Sequence, residues 1–222
     1  MKKFSYLLIS GVFALSFIIF TIVFKTVDVS YLPVSNTYLG LSHFNIDFSN
    51  YVISTEKYTD FAKISDLFLY LSFAFTLVMG VIGLIQWIKN KSLLKVDKRL
   101  FILLGGYVAL VAIYFIFEVM KLNYSPDLSK GLKASYPSTH VFIGSSLFLM
   151  NSYVSLKLLN SEKKWLSYLI YASTLLICLL IVFSRSMALK HWLTDIIGSI
   201  LLTGFIYFLF IHVNKMKTKE EK

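Results

Sequence analysis

Two residues in the C-terminal third of this sequence have the types and spacing needed for nucleophilic chemistry. His191 and Asp195 are four residues apart, so they would share one face of a helix. A carboxylate that accepts a hydrogen bond from one imidazole nitrogen fixes the tautomer and leaves the other nitrogen bare. The pair therefore predicts an imidazole that acts as nucleophile or base, with Asp195 as its orienting partner.

Other polar residues have the properties needed to hold and cleave a phosphate ester. Arg185 carries a planar guanidinium that matches phosphate oxygens two at a time. Ser138, Thr139 and His140 follow a proline at the predicted start of a helix, where free N–H groups and the helix dipole favour an anion. His140 can protonate a departing alkoxide. Together these residues predict phosphoryl transfer through a covalent phosphohistidine.

Each of these residues also has an ordinary structural interpretation. Ser138 or Thr139 could simply cap a helix, and Arg185 could anchor a helix at the membrane interface. A metal site at His191 and Asp195 is another alternative, but the pattern offers one further histidine nearby and no Glu or Cys. The combination therefore favours the catalytic interpretation, with no metal and no other cofactor.

The composition indicates the environment in which these residues must lie. Of the 222 residues 57% are hydrophobic and 15% are charged, whereas soluble domains have about 45–50% and roughly 25%. The excess apolar surface must face lipid. The net charge of +10 does not indicate nucleic-acid binding, because the basic residues form short clusters between long apolar runs.

Six apolar runs are candidates for membrane helices, which need about 20 residues each. Five are long, and the shorter fourth run contains Ser145, Ser146, Asn151 and Ser152, which predicts a helix shielded inside the bundle. No linker or repeat divides the chain, so we expect an all-α, six-helix membrane protein with a single domain over residues 1–222. The predicted spans are residues 5–24, 67–88, 100–120, 141–156, 165–183 and 192–213.

The longest connection, residues 25–63, lies between the first two spans. Pro33 and Asn36, which precede Gly40, predict that it starts as irregular loop. Residues 55–66 are compatible with a helix that continues into the second span. His43 has no partner at a useful spacing, so it is expected on the surface.

The distribution of Lys and Arg predicts the orientation. With both termini in the cytoplasm, 14 of the 22 basic residues lie inside, and the loop from Lys89 to Arg99 contributes most clearly. His140, Arg185, His191 and Asp195 then all lie at outer helix ends. The sequence therefore predicts an active site that faces outside.

These residues resemble the motifs of a known family. Ser184-Arg185, followed by His191 and Asp195, matches the third motif of the type-2 phosphatidic acid phosphatase (lipid phosphate phosphatase) superfamily, and the stretch from Pro137 to His140 resembles its second motif, usually Pro-Ser-Gly-His. The resemblance covers residues 120–195 and agrees with six spans. It implies that His191 is the nucleophile, Asp195 its orienter, His140 the acid and then the base, and Arg185 the phosphate clamp, with no metal cofactor.

The first motif of that family, a lysine followed by Arg-Pro, is altered in this chain. In the stretch Asn123 to Pro126, Ser125 stands where the arginine would be, and Glu118 occupies the lysine position, so the related motifs extend over residues 118–195. Lys121 is the predicted replacement for binding phosphate, and Lys133 is the alternative.

We therefore predict a metal-independent membrane phosphatase of a lipid phosphate or pyrophosphate. Candidate substrates are phosphatidate, phosphatidylglycerophosphate and polyprenyl pyrophosphate, and the Lys/Phe/Ile/Asn-rich composition is typical of a low-GC bacterium and hence its plasma membrane. Two alternatives remain open: a weakly active relative that binds lipid phosphate, and a proton-coupled transporter. The sequence does not indicate an oligomeric state.

Overall fold

The structure, a computed structural model, describes residues 3–129, 131–159 and 164–218. Lys2, Lys130, Lys163, Lys219 and Lys222, which contribute to the orientation count, lie outside the described residues. The elements, in chain order, are α1 (Lys3–Thr26), β1 (Ser30–Leu32), β2 (Thr37–Leu39), α2 (Ser42–Ser54), α3 (Tyr58–Asn90), α4 (Lys98–Met120), α5 (Ser145–Leu159), α6 (Lys164–Ser186) and α7 (Leu193–Lys217).

Six helices of the described chain are long and apolar enough to cross a membrane, and they are the six predicted ones. They are α1, α3, α4, α6, α7 and the segment His140–Leu159, in which a π-helical turn over His140–Gly144 leads directly into α5. The prediction of an all-α membrane bundle is confirmed. The largest difference from the predicted bounds is at α3, which begins at Tyr58 and not at residue 67. The polar stretch before residue 67 belongs to the same helix, as the sequence allowed.

The segment that contains α5 lies at the centre of the bundle. In its apolar window 67% of the residues are buried, compared with 11–17% for α1, α3, α4 and α6. Its polar groups have partners on neighbouring helices: Asn151 bonds to Tyr107 of α4 and Thr76 of α3, and the Ser152 and Thr174 hydroxyls lie 2.6 Å apart. Since lipid cannot satisfy polar groups, these bonds stabilise a helix enclosed by protein.

Helices α1 and α7 pack closely along their length. The approach depends on Gly204, because a Cβ atom there would lie 2.5 Å from the Phe13 ring. Near the chain termini Lys215 donates a hydrogen bond to the Tyr6 hydroxyl, and at the other end of α1 the hydroxyls of Thr21 and Tyr136 lie 2.6 Å apart. The loop that contains Tyr136 therefore lies at the end of the bundle opposite the two termini.

The connection after α1 is more ordered than the sequence indicates. The predicted irregular start is an antiparallel hairpin of β1 and β2, followed by α2. Its turn spans Pro33 to Asn36, and Asn36 adopts a positive φ of 54°, which asparagine tolerates better than most residues. His43 is exposed as expected, but the prediction that it has no partner is wrong: its Nδ1 lies 2.7 Å from Asp28.

Candidate active site

His191 lies in the turn between α6 and α7. Helix α6 ends at Ser186, and α7 begins at Leu193 because the Asp195 carboxylate accepts a hydrogen bond from the Trp192 backbone N–H at 3.1 Å and caps the helix. The Trp192 indole also donates to the Tyr124 carbonyl at 2.7 Å. His191 therefore precedes the helix, and the prediction that it shares a helical face with Asp195 is wrong.

The contacts of His191 determine which ring nitrogen carries the proton. Nδ1 lies 2.9 Å from the Ser135 carbonyl oxygen, and Nε2 lies 3.1 Å from the Arg185 guanidinium. A carbonyl can only accept and a guanidinium can only donate, so the proton is on Nδ1 and Nε2 presents a lone pair. The imidazole is therefore neutral, and the nitrogen next to Arg185 is the one with a lone pair.

Asp195 has a different role from the predicted one. Its Oδ2 is 3.6 Å from Nδ1 of His191, which is too long for a hydrogen bond, and the Ser135 carbonyl takes the bond that the sequence assigned to this carboxylate. The fully buried carboxylate instead accepts from the Asn123 amide at 2.9 Å and from Trp192 N–H. Asp195 thus holds the backbone next to His191 and places a negative charge beside the ring.

The surroundings of His191 lower its basicity. Only 9% of its side chain is exposed. Burial, followed by the positive charge of Arg185, holds the pKa of His191 below its usual value, and these effects outweigh the opposing ones of Asp195 and the Ser135 carbonyl. A neutral imidazole is what a nucleophile requires, so the electrostatics agree with the tautomer.

Arg185 and His140 complete the cluster through an acidic residue on α3. Arg185, in the last turn of α6, has 10% of its side chain exposed, and one of its terminal nitrogens lies 3.8 Å from an Asp66 oxygen. The same oxygen is 2.8 Å from Nε2 of His140. His191, Arg185, Asp66 and His140 therefore form a continuous chain of polar contacts across four segments of the protein.

The remaining predicted phosphate ligands are less directly placed. The Ser138 hydroxyl is buried and has no hydrogen-bond partner in the described part of the chain, and the Ser138 N–H donates to the Asp195 carbonyl at 3.4 Å. Thr139 lines a small crevice towards α4, beside Glu118. Lys121 ends α4 with a positive φ and is exposed, and in the described chain it forms no hydrogen bond or ion pair that links it to the cluster.

The altered first motif supports the backbone of the site. Asn123 holds Asp195, and the Ser125 hydroxyl donates to the carbonyl of Lys190, the residue before His191, at 2.9 Å. The Lys190 ammonium pairs with Asp127. The alternative cation, Lys133, is exposed, and its carbonyl accepts a backbone bond from Ser125. This stretch therefore fixes the turn that carries His191.

Sequence reasoning did not identify Asp66 or the Ser135 carbonyl. A backbone carbonyl has no residue-type signal. Asp66 had one: it is a carboxylate at the start of an apolar run, and such residues near the membrane core are usually functional. Among residues 3–129, 131–159 and 164–218, the structure has no group of three or more His, Cys, Asp or Glu side chains that could hold a metal ion.

Comparisons with known proteins support the family resemblance and the fold. Residues 114–219 match the profile of the PAP2 superfamily. The fold is similar to a crystal structure described as the first transmembrane PAP2-type phosphatidylglycerolphosphate phosphatase from Bacillus subtilis, with a TM-score of 0.68 and 15% sequence identity over 94% of this chain and 96% of that one. A search of curated proteins finds no match.

Proposed function

Because this chain is a membrane member of the PAP2 superfamily, we propose that it is a metal-independent phosphatase that hydrolyses a lipid phosphate or pyrophosphate through a phosphohistidine. The observation that carries the proposal is the contact of Arg185 with His191. The guanidinium at 3.1 Å identifies Nε2 as a bare, neutral nitrogen next to a phosphate-binding group.

In the first step the Nε2 lone pair of His191 attacks the phosphorus atom. Arg185 then turns its hydrogen bonds from Nε2 to the non-bridging phosphate oxygens, where it stabilises the developing charge. The bond between phosphorus and the bridging oxygen breaks, and the leaving oxygen takes the proton on Nε2 of the His140 imidazolium, which becomes a neutral imidazole with its remaining proton on Nδ1. The products are the dephosphorylated lipid and a phosphoryl group on His191.

In the second step water releases the phosphate. Nε2 of His140, which lost its proton in the first step, accepts a proton from water as the oxygen attacks phosphorus. The nitrogen–phosphorus bond breaks, and its electron pair returns to Nε2 of His191. The Ser135 carbonyl at 2.9 Å holds the ring through both steps, so His191 returns to its starting tautomer.

The proposed membrane side follows from charge. The site lies at the end of the bundle opposite the termini, and the predominance of Lys and Arg at the other end favours a cytoplasmic location for both termini. The site then faces the outside of the membrane. The composition that is typical of a low-GC bacterium supports the plasma membrane as its location.

The substrate class remains phosphatidate, phosphatidylglycerophosphate or a polyprenyl pyrophosphate. Arg185, which contacts His191, is the cation closest to the nucleophile among the contacts described, and Ser138 has a buried hydroxyl free to donate. In this proposal both contact the phosphate, Thr139 borders the site, and Lys121 attracts the anionic head group from its exposed position.

Phosphate release by the purified protein in detergent tests the proposal. Each of the three lipid classes is supplied with EDTA present, and inorganic phosphate is measured. We expect release from at least one lipid, and we expect His191→Ala to abolish it. The matched control is His43→Ala, because His43 has 85% of its side chain exposed and lies outside the cluster.

The alternatives give different results. If wild-type protein binds lipid phosphate but releases none from any lipid, it is a binding protein. Proton-coupled flux in liposomes without phosphate release would indicate a transporter. Activity that EDTA abolishes would contradict the metal-independent mechanism.

A further inference from the structure

Asp66 lies where an oxygen of a bound phosphate would be expected. One oxygen of its carboxylate is 2.8 Å from Nε2 of His140 and 3.8 Å from the Arg185 guanidinium. These are the two groups that the proposed reaction directs at the substrate. The side chain is 49% exposed, so it can leave this position without breaking the packing of the bundle.

The other nitrogen of His140 explains why this contact matters. Nδ1 is buried and has no hydrogen-bond partner among the residues that the structure describes. Nε2 is therefore the nitrogen that faces the cluster and the one that can transfer a proton to a substrate. Because a carboxylate only accepts, the contact with Asp66 keeps the proton on Nε2. The anionic carboxylate also opposes the effect of burial, which disfavours a charged imidazole.

The contact of Asp66 with Arg185 opposes the binding of substrate. A substrate phosphate that approaches Arg185 and His140 must replace the Asp66 oxygen at both groups. The carboxylate competes with the phosphate for the same donors and repels it. The altered first motif sharpens this competition, because Ser125 and Glu118 stand where the family's pattern has cations.

We propose that Asp66 is a positioning residue that keeps the proton on Nε2 of His140 in the empty site and then yields its place to the substrate phosphate. This role rests on the proposed phosphatase reaction. It predicts opposite effects on turnover and on binding: without the carboxylate less of His140 carries the proton that the leaving group needs, which lowers kcat, whereas removal of the competing charge strengthens binding and lowers KM.

The effect on kcat depends on the leaving group. An alkyl alkoxide needs a proton as it departs, but p-nitrophenolate is stable without one. Asp66→Asn should therefore lower kcat at least about tenfold for a short-chain phosphatidate, since general acids contribute about 10²–10⁴-fold. For p-nitrophenyl phosphate it should leave the rate of the p-nitrophenolate burst, which reports only the first step, within about twofold, because the acid then contributes little. KM should fall for both substrates.

The experiment measures kcat and KM for both substrates, together with the rate of the p-nitrophenolate burst, with wild-type protein, Asp66→Asn, Asp66→Ser and Asp66→Glu. The glutamate variant keeps the carboxylate and should recover part of the phosphatidate rate. Asp60→Asn is the matched control, because Asp60 lies on the same helix, is 71% exposed and pairs only with Lys63 among the described residues. Thermal unfolding in detergent identifies any variant that does not fold, and the serine variant then replaces the asparagine one.

The outcomes separate this inference from the proposed function. Wild-type protein that releases no phosphate from these two substrates, from phosphatidylglycerophosphate or from a polyprenyl pyrophosphate would remove the reaction on which both rest. If wild-type protein is active but Asp66→Asn slows the p-nitrophenolate burst as much as phosphatidate turnover, or changes neither kcat nor KM, the role of Asp66 is wrong while the phosphatase proposal stands.

Discussion

At the scale of single residues, the site depends on a few groups whose roles follow from what each can donate or accept. The Ser135 carbonyl and the Arg185 guanidinium leave only one possible tautomer for His191. Asp195 has no direct hydrogen bond to the ring, but Asn123 and Trp192 hold its carboxylate in place. The chemistry therefore relies on backbone groups as much as on side chains.

Arg185→Lys should reduce activity strongly although it keeps the charge. A lysine ammonium cannot hold two phosphate oxygens in a fixed plane, and loss of one donor to the developing charge lowers kcat by about 10²–10³-fold. Steady-state kinetics with the best lipid substrate tests this. Arg99→Lys is the matched control, since Arg99 pairs with Asp97 at the other end of the bundle. Equal activity of both variants would exclude Arg185 as the phosphate clamp.

The lowered pKa of His191 predicts how activity depends on pH. Protonation of Nε2 removes the nucleophile, and the lowered pKa moves this loss to a pH below the usual histidine value of about 6.5. The acidic fall in kcat/KM assigned to His191 should therefore lie below that value. A pH profile of phosphate release, with NMR titration of the imidazole, measures it. A midpoint at or above the usual value would contradict the neutral, buried imidazole.

At the scale of elements, helix α7 and the loop before the fourth span can approach each other closely because Gly198 has no side chain. A Cβ atom there would lie 2.5 Å from the Tyr136 ring. Tyr136 follows Ser135, whose carbonyl holds His191, so this contact links helix packing to the position of the His191 ring.

Gly198→Ala should therefore disturb both stability and catalysis. Overpacking costs about 1–3 kcal/mol, and a shift of Tyr136 would move the Ser135 carbonyl away from His191. Gly80→Ala is the control, because a Cβ atom at Gly80 has no neighbour within 4 Å and alanine favours a helix. Thermal unfolding and phosphate release are measured together. If Gly198→Ala behaves like Gly80→Ala, the helix contact does not position the nucleophile.

The elements also explain what could be predicted from sequence. Long apolar runs identify all six spans, and the serines and asparagine of the fourth run correctly indicate a helix inside the bundle. The hairpin and α2 have no long periodic pattern, so the sequence predicts irregular loop where the hairpin forms and does not indicate α2. Asp66 lies 74 residues before His140 in the chain, and no local spacing connects them. Only the packing of α3 against the fourth span brings the two together.

At the scale of the whole molecule, the account requires one orientation in the membrane. Val34, in the hairpin turn, is 88% exposed, and Leu94, in the loop between α3 and α4, is 94% exposed. In a Cys178→Ser background, a single cysteine at position 34 should react with a membrane-impermeant maleimide in intact cells, and one at position 94 should react only after permeabilisation. The reverse pattern would place the site in the cytoplasm.

The most direct test of the account is trapping of the phosphoenzyme. Purified protein is mixed with lipid labelled with ³²P at the phosphate, quenched within its first turnover, and the label is located by mass spectrometry. We expect an acid-labile, base-stable phosphoryl group on Nε2 of His191, absent in His191→Ala. Turnover without any label on the protein, or label on another residue, would contradict the central claim that His191 is the nucleophile.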